Sequence, residues 1–278
     1  QKVNVTLVKS ADSDVARVLA CLVVRDGAKS VKNGNSRRLI KNPVDPSLSS
    51  LDDILFGKMV KAKIQSVKDM QLNIRLGDNL RGRVHLTQIY DSFNDIPNQI
   101  KPLESFKNGD EIVCKVMGFH SLKTHKFLPI THTNPTSQIG VELSIKPSFL
   151  GNSSIAEESI SQINLGPGSL HIGFIQNIEQ DCLWVQVGPT TLGRVDCLSI
   201  SDKVEVLENI SKNFKIGQAV TCSVLSFDSE KGRLDLSMVF DRELTLLKKV
   251  CVKITQINPA VGLSVSLGSQ KYGRIEVS

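Results

Sequence analysis

Tryptophan occurs once in this 278-residue chain, and aromatic residues make up only 5% of it. That scarcity excludes a large aromatic core or an aromatic-lined pocket. It leaves cores to be built from Val, Ile and Leu, a composition that favours strands. Apolar runs of the 18 or more residues needed for a membrane helix are missing, and Gln1 to Ser10 lack the apolar stretch of a secretory signal. The chain is therefore expected to be soluble, with no membrane partner. Six cysteines (Cys21, Cys114, Cys182, Cys197, Cys222, Cys251) fall at scattered spacings. With no Cys-x-x-Cys and no partnered histidine pair, neither a zinc site nor a disulfide framework is indicated, and a reducing compartment is expected. What is present is ordinary globular composition, at a length that predicts two domains, or three if they are small.

Formal net charge is +6, but it is unevenly spread: +5 over residues 1–50, +3 over 51–150, −5 over 151–240 and +3 over 241–278. Only the basic parts would gain from releasing phosphate counterions, so different parts of the chain are expected to face different partners.

Internal repetition is the strongest signal. The triplet Gly-Arg-Val/Ile occurs at Gly82-Arg83-Val84, Gly193-Arg194-Val195 and Gly273-Arg274-Ile275, each time after two runs that alternate with the two-residue period of a half-buried strand. Downstream, Phe106-Lys107-x-Gly109 matches Phe214-Lys215-x-Gly217, and the strands that follow align Cys114 with Cys222, Val116 with Val224 and Phe119 with Phe227. The second copy closes with Gly232 to Met238. In the first, the last strand is expected at Val141 to Ile145, after an insertion from His120 to Gly140. Five short strands per copy, with a turn or short helix between the third and fourth, predict an all-β fold. The expected architecture is tandem five-stranded Greek-key barrels of the OB type with short connecting helices. An immunoglobulin-like sandwich wants about seven strands per unit. The expected layout is closing strands of a partial module over 1–26, a basic linker over 27–50, full modules over 51–150 and 163–240, and the first half of another over 248–278. On this reading the chain is an excerpt of a longer array.

The strand, turn, strand and Gly-Arg-Val-His pattern between Gly57 and His85 resembles the RNA-binding domain first named from ribosomal protein S1. The phrases Phe127-Leu128-Pro129-Ile130-Thr131-His132 and Val141-Glu142-Leu143-Ser144-Ile145-Lys146-Pro147-Ser148 are more specifically similar to a later module of the ribosomal RNA processing protein five family, called programmed cell death protein eleven in vertebrates. The resemblance implies a nucleolar scaffold of the small-subunit processome whose partners are precursor ribosomal RNA and other ribosome-assembly proteins. That family carries a helical-repeat tail after its modules, of which this sequence shows no sign. The resemblance also implies two aromatics on the second strand and a His on the third in modules that bind RNA well. Here the first full module has Met70, Asn73 and His85 at those positions, the second Asp181, Trp184 and Asp196, and the third Val261, Ser264 and Glu276.

Alternation assigns the faces of the first full module. Val60, Ala62, Ile64, Leu72, Ile74, Leu76, Val84 and Leu86 point inward, leaving Lys61, Lys63, Asn73, Arg75, Arg83 and His85 outward as a basic ladder that contains no acid. Such a ladder can track a phosphate backbone. Trp184, Arg194 and Arg274 join the RNA-binding candidates from the later copies, and Arg37, Arg38 and Lys41 are linker candidates for phosphate contact. The acidic second module is better suited to a protein partner or to a spacer role, and the alternative for the whole segment is an interaction array with RNA bound by other modules. A weaker third reading is an accessory segment of a ribonuclease or translation factor.

Nothing in the sequence organises a reaction. Three of five histidines (His120, His125, His132) lie in the insertion without Cys or acid at ligand spacing, so no metal is expected. Cys114 and Cys222 share an inward strand position, as core residues do, and Gly166-Pro167-Gly168-Ser169 lacks the Lys of a P-loop. No enzyme activity, cofactor or small-molecule substrate is expected.

Overall fold

The computed structural model describes residues 39–121, 127–128, 139–151, 164–240, 250–259, 261–268 and 271–276. The partial module expected over 1–26, the linker candidates Arg37 and Arg38, and most of the insertion lie outside the described residues.

The first barrel is built from β1 (Met59–Val67), β2 (Gln71–Arg75), β3 (Arg81–His85), β4 (Glu111–Ser121) and β6 (Ile139–Ser144), with a short β5 (Phe127–Leu128) paired to β4. Pairing runs β1-β2-β3-β6-β4 and returns from β4 to β1, all antiparallel except the β3–β6 seam. The second barrel repeats this with β7 (Leu170–Ile178), β8 (Cys182–Gln186), β9 (Leu192–Asp196), β10 (Ala219–Asp228) and β11 (Arg233–Ser237), again with a parallel seam, between β9 and β11. A three-stranded antiparallel sheet, β12 (Lys253–Asn258), β13 (Gly262–Gly268) and β14 (Lys271–Glu276), reproduces the first three strands. This is the five-stranded Greek-key plan read from the sequence, with only short helices.

Alternation dictates the core. All eight residues assigned inward in the first barrel are buried, and Cys114 and Cys222 lie inside their barrels, where burial pushes both thiols up to about 12. Phe119 is buried but its counterpart Phe227 is 44% exposed, so the repeat is imperfect at the far end of the fourth strand. The Gly-Arg-Val triplet marks the seam. A Cβ on Gly82 would lie 2.8 Å from the Val141 carbonyl oxygen, and one on Gly193 would meet the Leu236 side chain, so close strand approach leaves room for hydrogen only. The Phe-Lys-x-Gly motif is a turn into the fourth strand. Gly109 and Gly217 both have positive φ, and their N–H groups donate to the carbonyls of Ile64 and Ile175.

The Val141–Ser148 phrase serves as a latch. Ser144 Oγ donates to the Gln88 carbonyl, and Ser148 donates through its backbone N–H and its hydroxyl to the two oxygens of Asp91. These bonds pin the closing strand to the segment that follows β3.

Residues 39–50 fall in the span read from the sequence as linker, yet they pack on the first barrel. Leu48 is fully buried and Ile40 nearly so, and Val44 N–H donates to the Leu76 carbonyl. Clustered Gly, Asn, Ser and Pro gave this stretch the composition of a linker, but isolated apolar residues at 40 and 48 are enough to anchor it.

Successive modules dock by a repeated contact. At the start of β7 and β10, Ile172, Phe174 and Ala219 join the hydrophobic cluster of the first barrel, and Ala219 N–H donates to the Gln99 carbonyl at 2.7 Å. At the start of the third sheet, Lys253 Nζ lies 3.7 Å from Asp181 of the second barrel and Cys251 Sγ donates to the Asp202 carbonyl. In both cases the first strand, or the residues leading into it, meets the preceding module near its β1–β2-type turn or the segment after its third strand, and in the second barrel the start of the fourth strand joins the contact.

Replacing Leu48 by Ala is expected to destabilise the first barrel by about 2–5 kcal/mol in urea unfolding, the cost of a cavity at a fully buried leucine. A change near zero would show that residues 39–50 are not part of that core.

Candidate nucleic-acid interface

Cross-strand register decides which outward residues of the first barrel stand together. Lys63 lies directly opposite Arg75, and Arg75 directly opposite Arg81, so three cations occupy one row across β1, β2 and β3. All three are exposed, as is Lys61 two residues along β1. Arg81 belongs to the same alternation as Arg83 and His85 and lies just before the Gly-Arg-Val triplet, outside the outward set expected from the sequence. Adjacent like charges disfavour one another. The row is partly relieved at Arg75, which pairs with Asp78 at 2.5 Å, and at Lys63, which faces Glu111. Lys41 is also exposed, and its backbone is fixed to the turn that joins the two arginine strands: its carbonyl accepts from Asp78 N–H and its N–H donates to Asn79 Oδ1.

The middle of the same sheet face is different, and here two expectations are corrected. Arg83 was expected to be a free outward cation and is buried. Its Nε and Nη2 both donate to Glu142 Oε1 at 2.6 Å, because the parallel seam places Arg83 opposite Glu142. The statement that the ladder holds no acid was true of β1 to β3 and missed the acid from the closing strand. Burial pushes the Glu142 carboxyl above its ordinary range while Arg83 beside it pulls the other way. His120 Nδ1 lies 3.3 Å from the same oxygen.

His85 was expected as a base-stacking residue and is also buried. Its Nδ1 accepts from Thr87 N–H at 3.2 Å, capping the short helix Leu86–Gln88. Asp196 occupies the matching position and caps Cys197–Ile200 in the same way, through Leu198 N–H. The departure from His to Asp in the second copy thus preserves a helix cap. Asn73 is held by Ser66 and Gln71, and Met70 packs against the first core. Among the described residues, no exposed aromatic ring stands at these positions for a base to stack on.

On the second barrel, Trp184 is half-buried, stands opposite Arg194, and donates its indole N–H to Glu179 Oε1 at 2.7 Å. Arg194 lies between Asp181 at 3.8 Å and Asp196 at 3.9 Å, and Asp235 is its neighbour across the parallel seam. Glu179, Asp181 and Cys182 place a ligand atom each within 4.8 Å of one another. These groups are already engaged by Trp184 and by Lys253 of the third sheet. The row equivalent to Lys63, Arg75 and Arg81 reads Phe174, Gln186 and Leu192, with no charge. Arg274 is exposed on the third sheet, opposite Ser264 and 3.8 Å from Glu276.

Burial holds the His85 imidazole at about 4, well below its ordinary 6.5, with the Arg83 charge adding to the effect. A histidine that is neutral in the fold and free to protonate when unfolded costs stability as pH falls through that window. From about pH 6.5 down to about 4 the loss attributable to His85 should be on the order of 3 kcal/mol. His85→Asn, which keeps a capping oxygen and cannot titrate, is expected to flatten that part of the stability profile. Superimposable wild-type and variant profiles would contradict the assignment.

Two family models match the chain: residues 39–150 match the OB domain described as "Protein RRP5 homolog-like", and residues 165–238 match the RRP5 S1 domain. The rRNA biogenesis protein rrp5 of Schizosaccharomyces pombe is 32% identical over 251 residues, covering 89% of this chain and 14% of that protein. The human protein named RRP5 homolog is 29% identical over 246 residues, covering 84% and 13%. The small ribosomal subunit protein bS1 of Rickettsia typhi is 24% identical over 206 residues, covering 73% of this chain and 32% of that one. The chain thus spans about one seventh of the length of the two RRP5 relatives. With two successive barrels matched by models of one family, and that family's relatives aligned over most of the sequence, the chain belongs to the RRP5 family of tandem OB and S1 modules.

Proposed function

We propose that this segment is a non-catalytic RNA-binding scaffold of a nucleolar ribosome-biogenesis factor, acting in precursor ribosomal RNA processing and small-subunit processome assembly. The observation that carries the reading is the contrast between equivalent surfaces: exposed Lys63, Arg75 and Arg81 on the first barrel against Phe174, Gln186 and Leu192 on the second. The relatives named for rRNA biogenesis supply the biological setting. Precursor ribosomal RNA is the partner this setting favours. Cationic side chains without stacking rings give binding that is electrostatic, sensitive to salt and indifferent to sequence.

The second barrel supports a complementary role in protein contact. Its Phe174 and Ala219 are already committed to a neighbouring module, and Arg194 is compensated by its own acids. It acts as an interaction or spacer element beside the RNA-contacting first barrel.

The whole chain is expected to bind single-stranded RNA with log Kobs falling linearly against log salt. The slope should be about −3, which corresponds to phosphate contacts by Lys41, Lys63, Arg75 and Arg81 at about 0.7 each. Fluorescence anisotropy with a labelled single-stranded oligonucleotide measures it. Absence of binding at low salt would remove RNA from the function of this segment and leave the interaction-array reading.

A further inference from the structure

Where RNA lies on the first barrel follows from what the fold has closed and what it has left open. Resting on the RNA-binding reading above, we propose that the first barrel takes a sugar-phosphate backbone at its β2–β3 turn end, along Lys63, Arg75, Arg81 and Lys41. The middle of the sheet, around Arg83 and His85, takes no part.

Three observations close the middle. The Arg83 guanidinium has Nε and Nη2 on one buried carboxylate oxygen of Glu142, so a phosphate would have to displace a 2.6 Å ion pair from inside the protein. His85 is buried and spends its Nδ1 lone pair on the Thr87 N–H. The segment after β3 is also where the second barrel docks, through Ala219 N–H on Gln99 and through Phe174 within the first core cluster. A base reaching for this corner would meet another module.

Two observations open the turn end. Lys63, Arg75 and Arg81 stand opposite one another on three neighbouring strands, and strands in a sheet are about 4.8 Å apart, so three cations span about 10 Å of surface. Crowding like charges in one row is unfavourable unless an anion lies over it. Asp78 pairs with Arg75 and Glu111 stands opposite Lys63 in the strand register, while Arg81 has no ion pair among the described residues. Independently, residues 39–42 are fastened to the same turn. Asn79 Nδ2 donates to the Leu39 carbonyl, Asn42 Nδ2 donates to Asp78 Oδ2, and Lys41 is held by backbone bonds with its side chain exposed. Lys41 is therefore held at this end of the barrel. Phosphates read by point charges and planar forks, with no ring to stack on, give a site that accepts single-stranded RNA of any sequence.

The test uses the whole chain and two double variants, with labelled single-stranded oligonucleotides of unrelated sequence as probes. Arg75→Gln with Arg81→Gln removes two cations, relieving their mutual repulsion and giving up the exposed Arg75–Asp78 pair, so the heat stability of the fold should change little. Affinity for every probe should drop about tenfold at low salt, and the salt slope should become shallower by about 1.4, at 0.7 per lost contact. Arg83→Met with Glu142→Leu exchanges the buried pair for apolar groups of similar size, a replacement that folds tolerate. This variant should bind RNA within twofold of wild type. The proposal is overturned if the Arg83/Glu142 variant, folded by circular dichroism, loses RNA while the Arg75/Arg81 variant keeps it. It is overturned equally if the Arg75/Arg81 variant binds as wild type does, which would make the row a surface for protein. If the wild-type chain itself binds no RNA, the underlying functional reading fails and not merely its placement.

Discussion

The Arg83–Glu142 ion pair is the contact on which the face of the first barrel depends. It exists because a five-strand barrel of this topology has one parallel seam, and at that seam the arginine of the Gly-Arg-Val triplet faces a residue of the closing strand. Burying two charges is tolerable only when they satisfy each other at close range, and the 2.6 Å bonds to one oxygen do so. Once formed, the pair removes from the surface the cation that inspection of β3 alone would place in the middle of a binding site. The second barrel repeats the relation in weaker form, with Arg194 beside Asp235 across its seam and two further acids within 4 Å.

Two scales of organisation follow from this. Within a barrel, glycine, arginine and valine at the seam have separate duties: close approach, charge compensation and core. Between modules, each first strand meets the module before it, by apolar contact at Phe174 and by an ion pair at Lys253. Docking and internal compensation together occupy the surface around His85, and both modules need a helix cap at this position. The row of exposed Lys63, Arg75 and Arg81 lies instead at the end near the turn between β2 and β3.

Most of the fold was legible in the sequence, because a period of two and a repeated triplet are local signals. The eight inward residues of the first barrel, the late closing strand beginning near Val141 and the three-strand copy at the end all followed from them. The site was legible only in part. Alternation states which side of a sheet a residue occupies, so the exposure of Lys61, Lys63 and Arg75 was legible. It does not state what faces that side from a strand sixty residues away, and Arg83 was misread for that reason. His85 was misread because its ring serves the next turn of backbone, a contact invisible to a comparison of strand positions. Arg81 carried a signal that was available, its two-residue spacing from Arg83, and Ile40 and Leu48 were hidden by a turn-rich composition around them.

The most direct measurement is the Nε–Hε nuclear magnetic resonance of the arginines in the whole chain, followed as single-stranded RNA is added. The account predicts that Arg75 and Arg81 shift with saturable dependence on RNA while Arg83 remains fixed in its buried environment. Shifts centred on Arg83, with Arg75 and Arg81 unmoved, would contradict it.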